Sequence, residues 1–348
     1  MPTRGVTIAQ IAVAAGVSVP TISRVLNGRA GVSAEKREEI ERLLVEHRYE
    51  RRPRHERGGL IHFVISDLDT QWANTLLRGA ESEAGRLGFD LVVKTTHGSP
   101  VGTPDWVERV VTRGSSGVVL VVSELLDTGR ERLENFHVPI VLVDPVGTGP
   151  QASMTVAATD WAGGRDATDH LLGLGHQRIG FITGPLSEEC HRDRLDGYRA
   201  ALLRAGIEPD QELVRAGDSL MSGGLREAPG LLRLAEPPTA IISGSDEQAY
   251  GVCKAATALG LTVPDDLSIV GFDDVELCQW VSPQLTTVRQ PLEEMAREAT
   301  RIVIELAGGS TRQIQRIELS TSMVVRESTG PARPRQWPAT GPDARAWP

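Results

Sequence analysis

Nine short runs rich in Val, Ile and Leu, separated by stretches of helical periodicity, constrain this chain more than any other feature. They are 61–66 (IHFVIS), 89–95 (FDLVVKT), 117–123 (GVVLVVS), 140–144 (IVLVD), 153–159 (SMTVAAT), 178–183 (RIGFIT), 212–217 (ELVRAG), 240–245 (AIISGS) and 267–274 (LSIVGFDD). Runs this continuously apolar are those of parallel strands buried on both faces. Parallel strands need crossover connections, and helical patterns at Asn74–Leu87, Trp161–Leu174, Arg192–Ala205 and Glu247–Leu259 supply them. Nine strands are more than one open sheet usually holds, so two α/β subdomains are expected.

The stretch before the first run follows a different period. Over Val6–Tyr49, Ile8, Ile11, Ala12 and Ala15 fall at i, i+3, i+4 and i+7, one apolar helical stripe. Thr7 with Gln10 forms a capping box, and Gly16-Val17 breaks the pattern with a residue suited to left-handed backbone. Ser18 caps a second helix, with Pro20 tolerated in its first turn and Ile22, Val25 and Leu26 facing inward. Ser33 opens a third, whose Ile40, Leu43 and Leu44 continue the core. Two short helices around a Gly turn, braced by a third, form the helix-turn-helix layout, whose second helix reads base edges in the major groove. The expected DNA-facing set is Thr7, Ser18, Val19, Pro20, Thr21, Ser23, Arg24 and Asn27. The alternative at this point is a three-helix protein-interaction module.

Charge is divided along the chain. The formal balance is −9, yet residues 1–57 hold 11 Lys/Arg against 7 Asp/Glu, leaving 26 against 39 for the rest. A basic first segment on an acidic body lets the headpiece meet phosphates while the body is repelled from them. Cys190, Cys253 and Cys278 are odd in number and widely spaced, which predicts reduced thiols rather than a disulfide framework or zinc site. No apolar run precedes Val6 and none approaches the ~20 residues of a membrane span, so a cytoplasmic protein without a signal peptide is expected.

The segments VTIAQIAVAAGVSVPTISRVLNG and VSAEKREEIERLLVEHRY resemble the headpiece of the lactose-repressor family of bacterial transcription factors. The resemblance continues through GHQRIGFITGP (175–185), RLDGY (194–198), SIVGFDD (268–274) and SPQLTTVRQP (282–291). It implies a helix-turn-helix headpiece (1–49), a linker (50–59) and an α/β body of periplasmic-binding-protein type with two parallel-sheet subdomains. The implied subdomains are 60–158 plus 289–318 and 159–288 plus 319–328, joined by three crossovers. It also implies a homodimer on a palindromic operator of double-stranded DNA. The linker departs from the family: no Ala/Leu stripe marks the hinge helix whose Leu wedges into the minor groove. Arg51, Arg52 and Arg54, with Arg57, form either an arm for a narrow minor groove or a solvated tether. Residues 329–348 hold five prolines and no apolar period, which predicts a disordered tail.

Ligands of open α/β sheets bind at the carboxyl ends of strands. There the sequence places Ser66-Asp67-Leu68-Asp69, Asp144, Ser245-Asp246 and Asp273-Asp274, with Trp72 and Trp161 opening helices that face the same region and Trp280 beyond. Carboxylates beside flat aromatic faces suit a sugar, mono- or oligosaccharide. Asp160 and Asp246 are expected instead as helix N-caps. The resemblance implies effector contacts from Trp72, Asp144, Arg194 and Asp273, with weaker claims for Arg192 and Ser245; Asp67 joins the expected set from its place after the first run. It also leaves departures: Ser245 stands in a slot often Asn, Ser219 in one often aromatic, and Thr159-Asp160 where relatives often carry Asp-Asn. No P-loop, zinc spacing or Gly-x-Ser-x-Gly elbow occurs, so no cofactor or metal is implied. The expected function is a transcriptional repressor controlled by a small ligand. The alternatives are a solute-binding sensor or a glycan-acting enzyme with an accessory helical domain.

Arg24 is expected on or near the DNA-facing surface of the second headpiece helix. Arg24→Ala is therefore expected to abolish specific operator binding while shifting stability by no more than about 0.5 kcal/mol, as for a surface change. Fluorescence anisotropy with a palindromic operator, beside a thermal melt, checks both; wild-type binding rules out this docking.

Overall fold

A computed structural model describes residues 8–18, 21–22, 25, 31–46, 58–121, 124–146, 153–310 and 315–333. The chain divides into two compact units, Met1–Arg57 and Gly58–Pro348. In the first, helices Ile8–Ala14 and Ala34–Glu46 flank helical backbone at Thr21, Ile22 and Val25. Ile11, Ala12, Ala15, Ile22, Val25 and Ile40 form its buried core, with Val17, Val32, Leu43 and Leu44 packed against them. Gly16 adopts φ +64°, the left-handed turn expected between the first two helices. Ser33 caps the helix beginning at Ala34, its Oγ accepting from Lys36 N at 3.3 Å.

The second unit contains two six-stranded sheets. The first comprises β1 (Leu60–Ile65), β2 (Asp90–Thr95), β3 (Ser115–Val121), β4 (Ile140–Val143), β5 (Met154–Ala158) and β11 (Arg316–Leu319). Its order is β11-β5-β4-β3-β1-β2, with every pairing parallel. The second comprises β6 (Ile179–Thr183), β7 (Val214–Ala216), β8 (Ala240–Ser243), β9 (Ser268–Asp273), β10 (Thr286–Arg289) and β12 (Ser322–Val324). It runs β12-β10-β9-β8-β6-β7, antiparallel only between β10 and β12. The chain passes between the sheets three times: from β5 into the helix Asp160–Gly173, from β10 into the helix Leu292–Ala307, and from β11 to β12. The helix Leu292–Ala307 packs on the helix Gln71–Arg86 and on β3, β4 and β5, returning it to the first subdomain.

Three strands, β10 to β12, lie outside the nine apolar runs because TTVR, RIEL and SMV mix polar with apolar residues and take their place from sheet pairing. They also move two boundaries by one residue. Arg289, expected in the first subdomain, pairs with Asp273 of the second sheet; Leu319, expected in the second, pairs with Ala158 of the first. The end of the expected linker belongs to the body as well: Asp90 N donates to Gly59 O at 2.9 Å. A Cβ on Gly58 would strike Gly88 O.

The expected disordered tail does not begin at Thr329. His170 Nε2 meets Thr329 Oγ1 at 3.0 Å, His176 Nε2 meets Gly330 O at 3.0 Å, Gly330 N donates to Ser268 Oγ at 3.0 Å and Ala332 N donates to Leu174 O at 2.9 Å. Polar composition hid this, because these bonds use main chain and hydroxyls rather than apolar burial. Residues 334–348 lie outside the described residues. Truncation after Ser328, compared with truncation after Arg333, is expected to cost about 1–3 kcal/mol, since it leaves buried His176 and Ser268 short of partners. Urea denaturation of the two truncated chains provides the check, and equal midpoints rule out a structural role for 329–333.

Candidate functional site

Of the residues expected to face DNA, Ser18 and Thr21 are described. Their hydroxyls are 2.9 Å apart, and Ser18 O accepts from Thr21 N at 2.9 Å and from Ile22 N at 3.3 Å, which places Ser18 at a helix start. Thr7, Val19, Pro20, Ser23, Arg24 and Asn27, with Arg51, Arg52 and Arg54 of the linker, lie outside the described residues.

The body holds a cavity of about 290 Å³ between its two sheets. Ser66, Asp67, Asp69, Thr70, Trp72 and Asp144 line it from the first subdomain; Pro185, Glu188, Cys190, His191, Arg194, Asp218, Ser219, Leu220, Gly244, Ser245, Glu247, Asp273 and Val275 line it from the second. Most follow the carboxyl end of a strand or open the next helix, as the parallel topology dictates. Three of them, Asp144 (φ +45°), Ser219 (φ +62°) and Asp273 (φ +121°), hold left-handed backbone, conformations that cluster where a site over-determines its geometry.

At the inner wall Arg194, 3% exposed, donates from Nε to Asp160 Oδ1 at 2.7 Å and from Nη1 to Gly244 O at 2.7 Å. Its guanidinium lies 3.8 Å from the centroid of the Phe272 ring. Gly164 and Gly197 permit this arrangement. A Cβ on Gly164 would strike Arg194 O and one on Gly197 would strike Trp161 O, so the helices Asp160–Gly173 and Glu189–Arg204 touch backbone to backbone. Burial alone would depress the Arg194 pKa, but Asp160, Cys190 and Asp273 reverse that and raise it. Asp160 is raised by burial, with Arg194 opposing.

Asp144 is 3% exposed and its Oδ1 has no hydrogen-bond partner. Burial first, then the charge of Asp160, pushes its pKa up to about 8. Asp273, 5% exposed, accepts from Gln290 Nε2 at 2.7 Å and is raised well above the usual carboxylate range, chiefly by burial. His191 places Nε2 at 2.9 Å from Ser219 Oγ and 3.2 Å from Glu188 Oε2; burial lowers its pKa, and its Nδ1 has no partner. Glu188, Cys190 and His191 bring their donor atoms within 4.8 Å of one another. Burial pushes the Cys190 thiol up, and His191 Nε2 already faces both Ser219 Oγ and Glu188 Oε2.

Five expected contact residues therefore line the cavity together: Asp67, Trp72, Asp144, Arg194 and Asp273. Ser245 lines the cavity but its hydroxyl is committed, accepting from Gln248 N at 3.0 Å as a helix cap and donating to Ser219 O at 2.6 Å. Arg192 points elsewhere, its Nη1 donating to Leu186 O at 2.7 Å, and it is absent from the lining. Trp161 and Trp280 are 43% and 67% exposed and also stand off the cavity. Neither Asp160 nor Asp246 is an N-cap. Thr159 and Ser245 occupy those positions, while Asp246 Oδ2 accepts from Val275 N at 2.9 Å and Oδ1 from Thr287 Oγ1 at 2.5 Å. The cavity residues Glu188, His191, Asp218 and Glu247 were not singled out from sequence. Glu188 and His191 sit just before RLDGY, and that proximity is the one signal that pointed to them. Gln71 spans the cleft, its N donating to Glu247 Oε1 at 3.0 Å and its Oε1 accepting from Leu277 N at 2.8 Å.

A helical headpiece joined to a two-lobed α/β body with a polar cleft defines a ligand-responsive DNA-binding regulator. The family profile "Bacterial regulatory proteins, lacI family" matches residues 7–52, and "Periplasmic binding protein-like domain" matches 168–329. HTH-type transcriptional regulator DegA of Bacillus subtilis is 32% identical over 93% of this chain and 98% of its own. The transcriptional regulator CelR–cellobiose complex superposes with a TM-score of 0.70 at 31% identity, over 93% of this chain and 99% of that one. The lac repressor dimer bound to operator and the anti-inducer ONPF does so with a TM-score of 0.69 at 29% identity, over 94% and 100%. The chain belongs to the lacI family of bacterial regulatory proteins and is a DNA-binding transcriptional regulator. Among the described residues no helix is long and apolar enough to cross a membrane.

The Arg194–Asp160 pair is buried on both sides, with 4% and 2% of each side chain exposed. Arg194→Met is expected to destabilise the body by about 3–5 kcal/mol by stranding a buried carboxyl, and adding Asp160→Leu should recover a large part of that loss. Chemical denaturation of the single and double variants tests it; no recovery in the double variant refutes the stranded-charge account.

Proposed function

We propose that this protein is a homodimeric repressor of the cytoplasm, bound to a palindromic operator, whose DNA affinity is set by a sugar held in the cleft. The observation that carries the reading is the convergence of Asp144, Arg194 and Asp273 from different strand ends and helices on one cavity that Trp72 also lines. A sugar hydroxyl is both donor and acceptor, and each one buried without a partner costs about 1–3 kcal/mol. Carboxyls, a guanidinium and a flat indole supply such partners and a surface for the ring's C–H face. The solved relatives support both halves: one is a complex with cellobiose, the other a dimer on its operator.

The mechanism follows from connectivity. The cleft spans both subdomains, and three crossovers between the sheets let one lobe turn against the other. A ligand touching Asp144 on one lobe and Arg194 and Asp273 on the other shifts the closed–open balance by the difference in its affinity for the two states. In the dimer that shift alters the spacing of the paired headpieces and so the operator affinity. We read the cleft as a binding rather than a catalytic site. Its thiol, Cys190, is pushed up by burial, away from the thiolate a nucleophile needs, and the relatives are regulators.

Asp273→Asn preserves shape and tolerates the left-handed backbone but replaces one carboxyl oxygen by an amide NH2, so a sugar hydroxyl pair held by both oxygens loses a partner. Sugar affinity is expected to fall by about 1.5–3 kcal/mol, tenfold or more. Titration calorimetry against a panel of mono- and disaccharides, sugar phosphates and nucleosides, repeated on the variant with the sugar that binds, tests this. A nucleoside response without any sugar response, or a variant of undiminished sugar affinity, overturns it.

A further inference from the structure

The inner cleft holds several carboxyls around one guanidinium. Asp144, Asp160, Asp273 and Glu188 surround Arg194, which is already engaged with Asp160, with Gly244 O and with the Phe272 face. His191 is the other basic side chain of the lining, and burial pushes it toward its neutral form. Asp67, Asp69, Asp218 and Glu247 add carboxylates farther out, and no Lys or second Arg lines the wall among the described residues. Two buried atoms of this wall lack partners, Asp144 Oδ1 and His191 Nδ1. With the ring proton on Nε2, which faces Glu188 Oε2 at 3.2 Å, Nδ1 of His191 is a bare acceptor. Asp144 and Glu188 approach from opposite lobes: Val146, two residues past Asp144, forms an antiparallel bridge with Glu188.

We infer that the effector carries an amine, as an amino sugar does, and that its ammonium lies between Asp144 and Glu188 beside His191. The inference rests on the reading of this cleft as the effector site. An ammonium offers three donors and no acceptor, the complement of a wall rich in acceptors. A neutral hydroxyl in that position brings no charge to match the two carboxyls. A phosphate or carboxylate ligand would face the carboxylate wall with the one guanidinium already paired. The proton balance agrees. Asp144 is pushed up to about 8 by burial and by Asp160 and Glu188, against the pull of Arg194 and Arg316, so the empty cleft holds a proton there at neutral pH. A bound ammonium favours the carboxylate and expels that proton. Below pH 8, amine affinity should therefore rise as pH rises, whereas a neutral sugar leaves Asp144 protonated and shows no such slope.

The test is calorimetry of the full chain with matched ligands that differ at one group: glucose, glucosamine, N-acetylglucosamine and glucose 6-phosphate, the galacto set, and cellobiose against the glucosamine disaccharide. Titrations near pH 6, in buffers of different ionisation enthalpy, count the protons released. The amine of a binding pair is expected to win by at least about tenfold and to release about one proton, because ligand amine and Asp144 are both protonated at that pH. Asp144→Asn should remove the proton release and shrink the preference below about threefold. Glu188→Gln, which keeps the hydrogen bond to His191, is the second variant should the first melt early by circular dichroism, and should also weaken the preference. Neutral sugars binding as tightly as their amines, or tight binding of glucose 6-phosphate, overturn the amine while leaving a sugar effector standing. Failure of every sugar in the panel overturns both.

Discussion

The buried pair between Arg194 and Asp160 is the contact on which the second subdomain's half of the cleft depends. It ties the first turn of one helix to the second turn of another, reaches Gly244 at the end of β8, and lies flat on Phe272 of β9. One side chain thus fixes four elements at the inner wall. It can do so only because Gly164 and Gly197 let the two helices meet without intervening side chains. A buried ion pair is weak evidence of net stability, since desolvation offsets much of its attraction. Its consequence here is positional: it holds a guanidinium fixed at the inner wall, against which the neighbouring carboxyls are set.

The remaining wall is organised by that commitment. With Arg194 neutralising Asp160, the carboxyls of Asp144 and Asp273 are left in low dielectric without a full counter-charge, and both shift toward their protonated forms. Their backbones, like that of Ser219, occupy left-handed conformations that turn the side chain back toward the cleft as the chain leaves a strand or loop. The site is pre-built and under-satisfied, a combination expected of binding sites and rare in structural cores. Gln71 and the pair Arg316–Glu189 then bridge the lobes from opposite sides, so that opening or closing the cleft must exchange specific hydrogen bonds.

Much of this was readable from the amino acids. The nine apolar runs match nine of the twelve described strands to within two residues at either end, because a strand buried on both faces, as most of these are, has no freedom to alternate polarity. The headpiece core falls on the periodic positions, since Ile11, Ala12, Ala15, Ile22, Val25 and Ile40 have no other apolar surface to join. Asp144, Arg194 and Asp273 were placed by local pattern at strand ends and in RLDGY, and the fold brings them to one cavity. The errors have a common character. Asp160 and Asp246 looked like helix caps because each opens a helix, yet their partners, Arg194, Val275 and Thr287, lie 29 to 41 residues away in sequence. Trp161 and Trp280 carried the right chemistry on the wrong face, Arg192 and Arg194 are two residues apart on a helix and so point in different directions, and Thr329–Ala332 is anchored by hydrogen bonds that leave no hydrophobic signature.

The sequence by itself determined what depends on periodicity and local chemistry: the number of layers, the parallel strands, the headpiece helices and their turn, and the family to which they belong. Tertiary structure alone decided which carboxyls are paired and which are left wanting a partner. That distinction depends on distance and dielectric rather than residue type. Asp144 and Asp160 are the same residue, each at a strand's end or the start of the next helix, yet one receives a guanidinium at 2.7 Å and the other keeps an unpartnered oxygen. Only the crossing of two glycine-faced helices settles which of them is which.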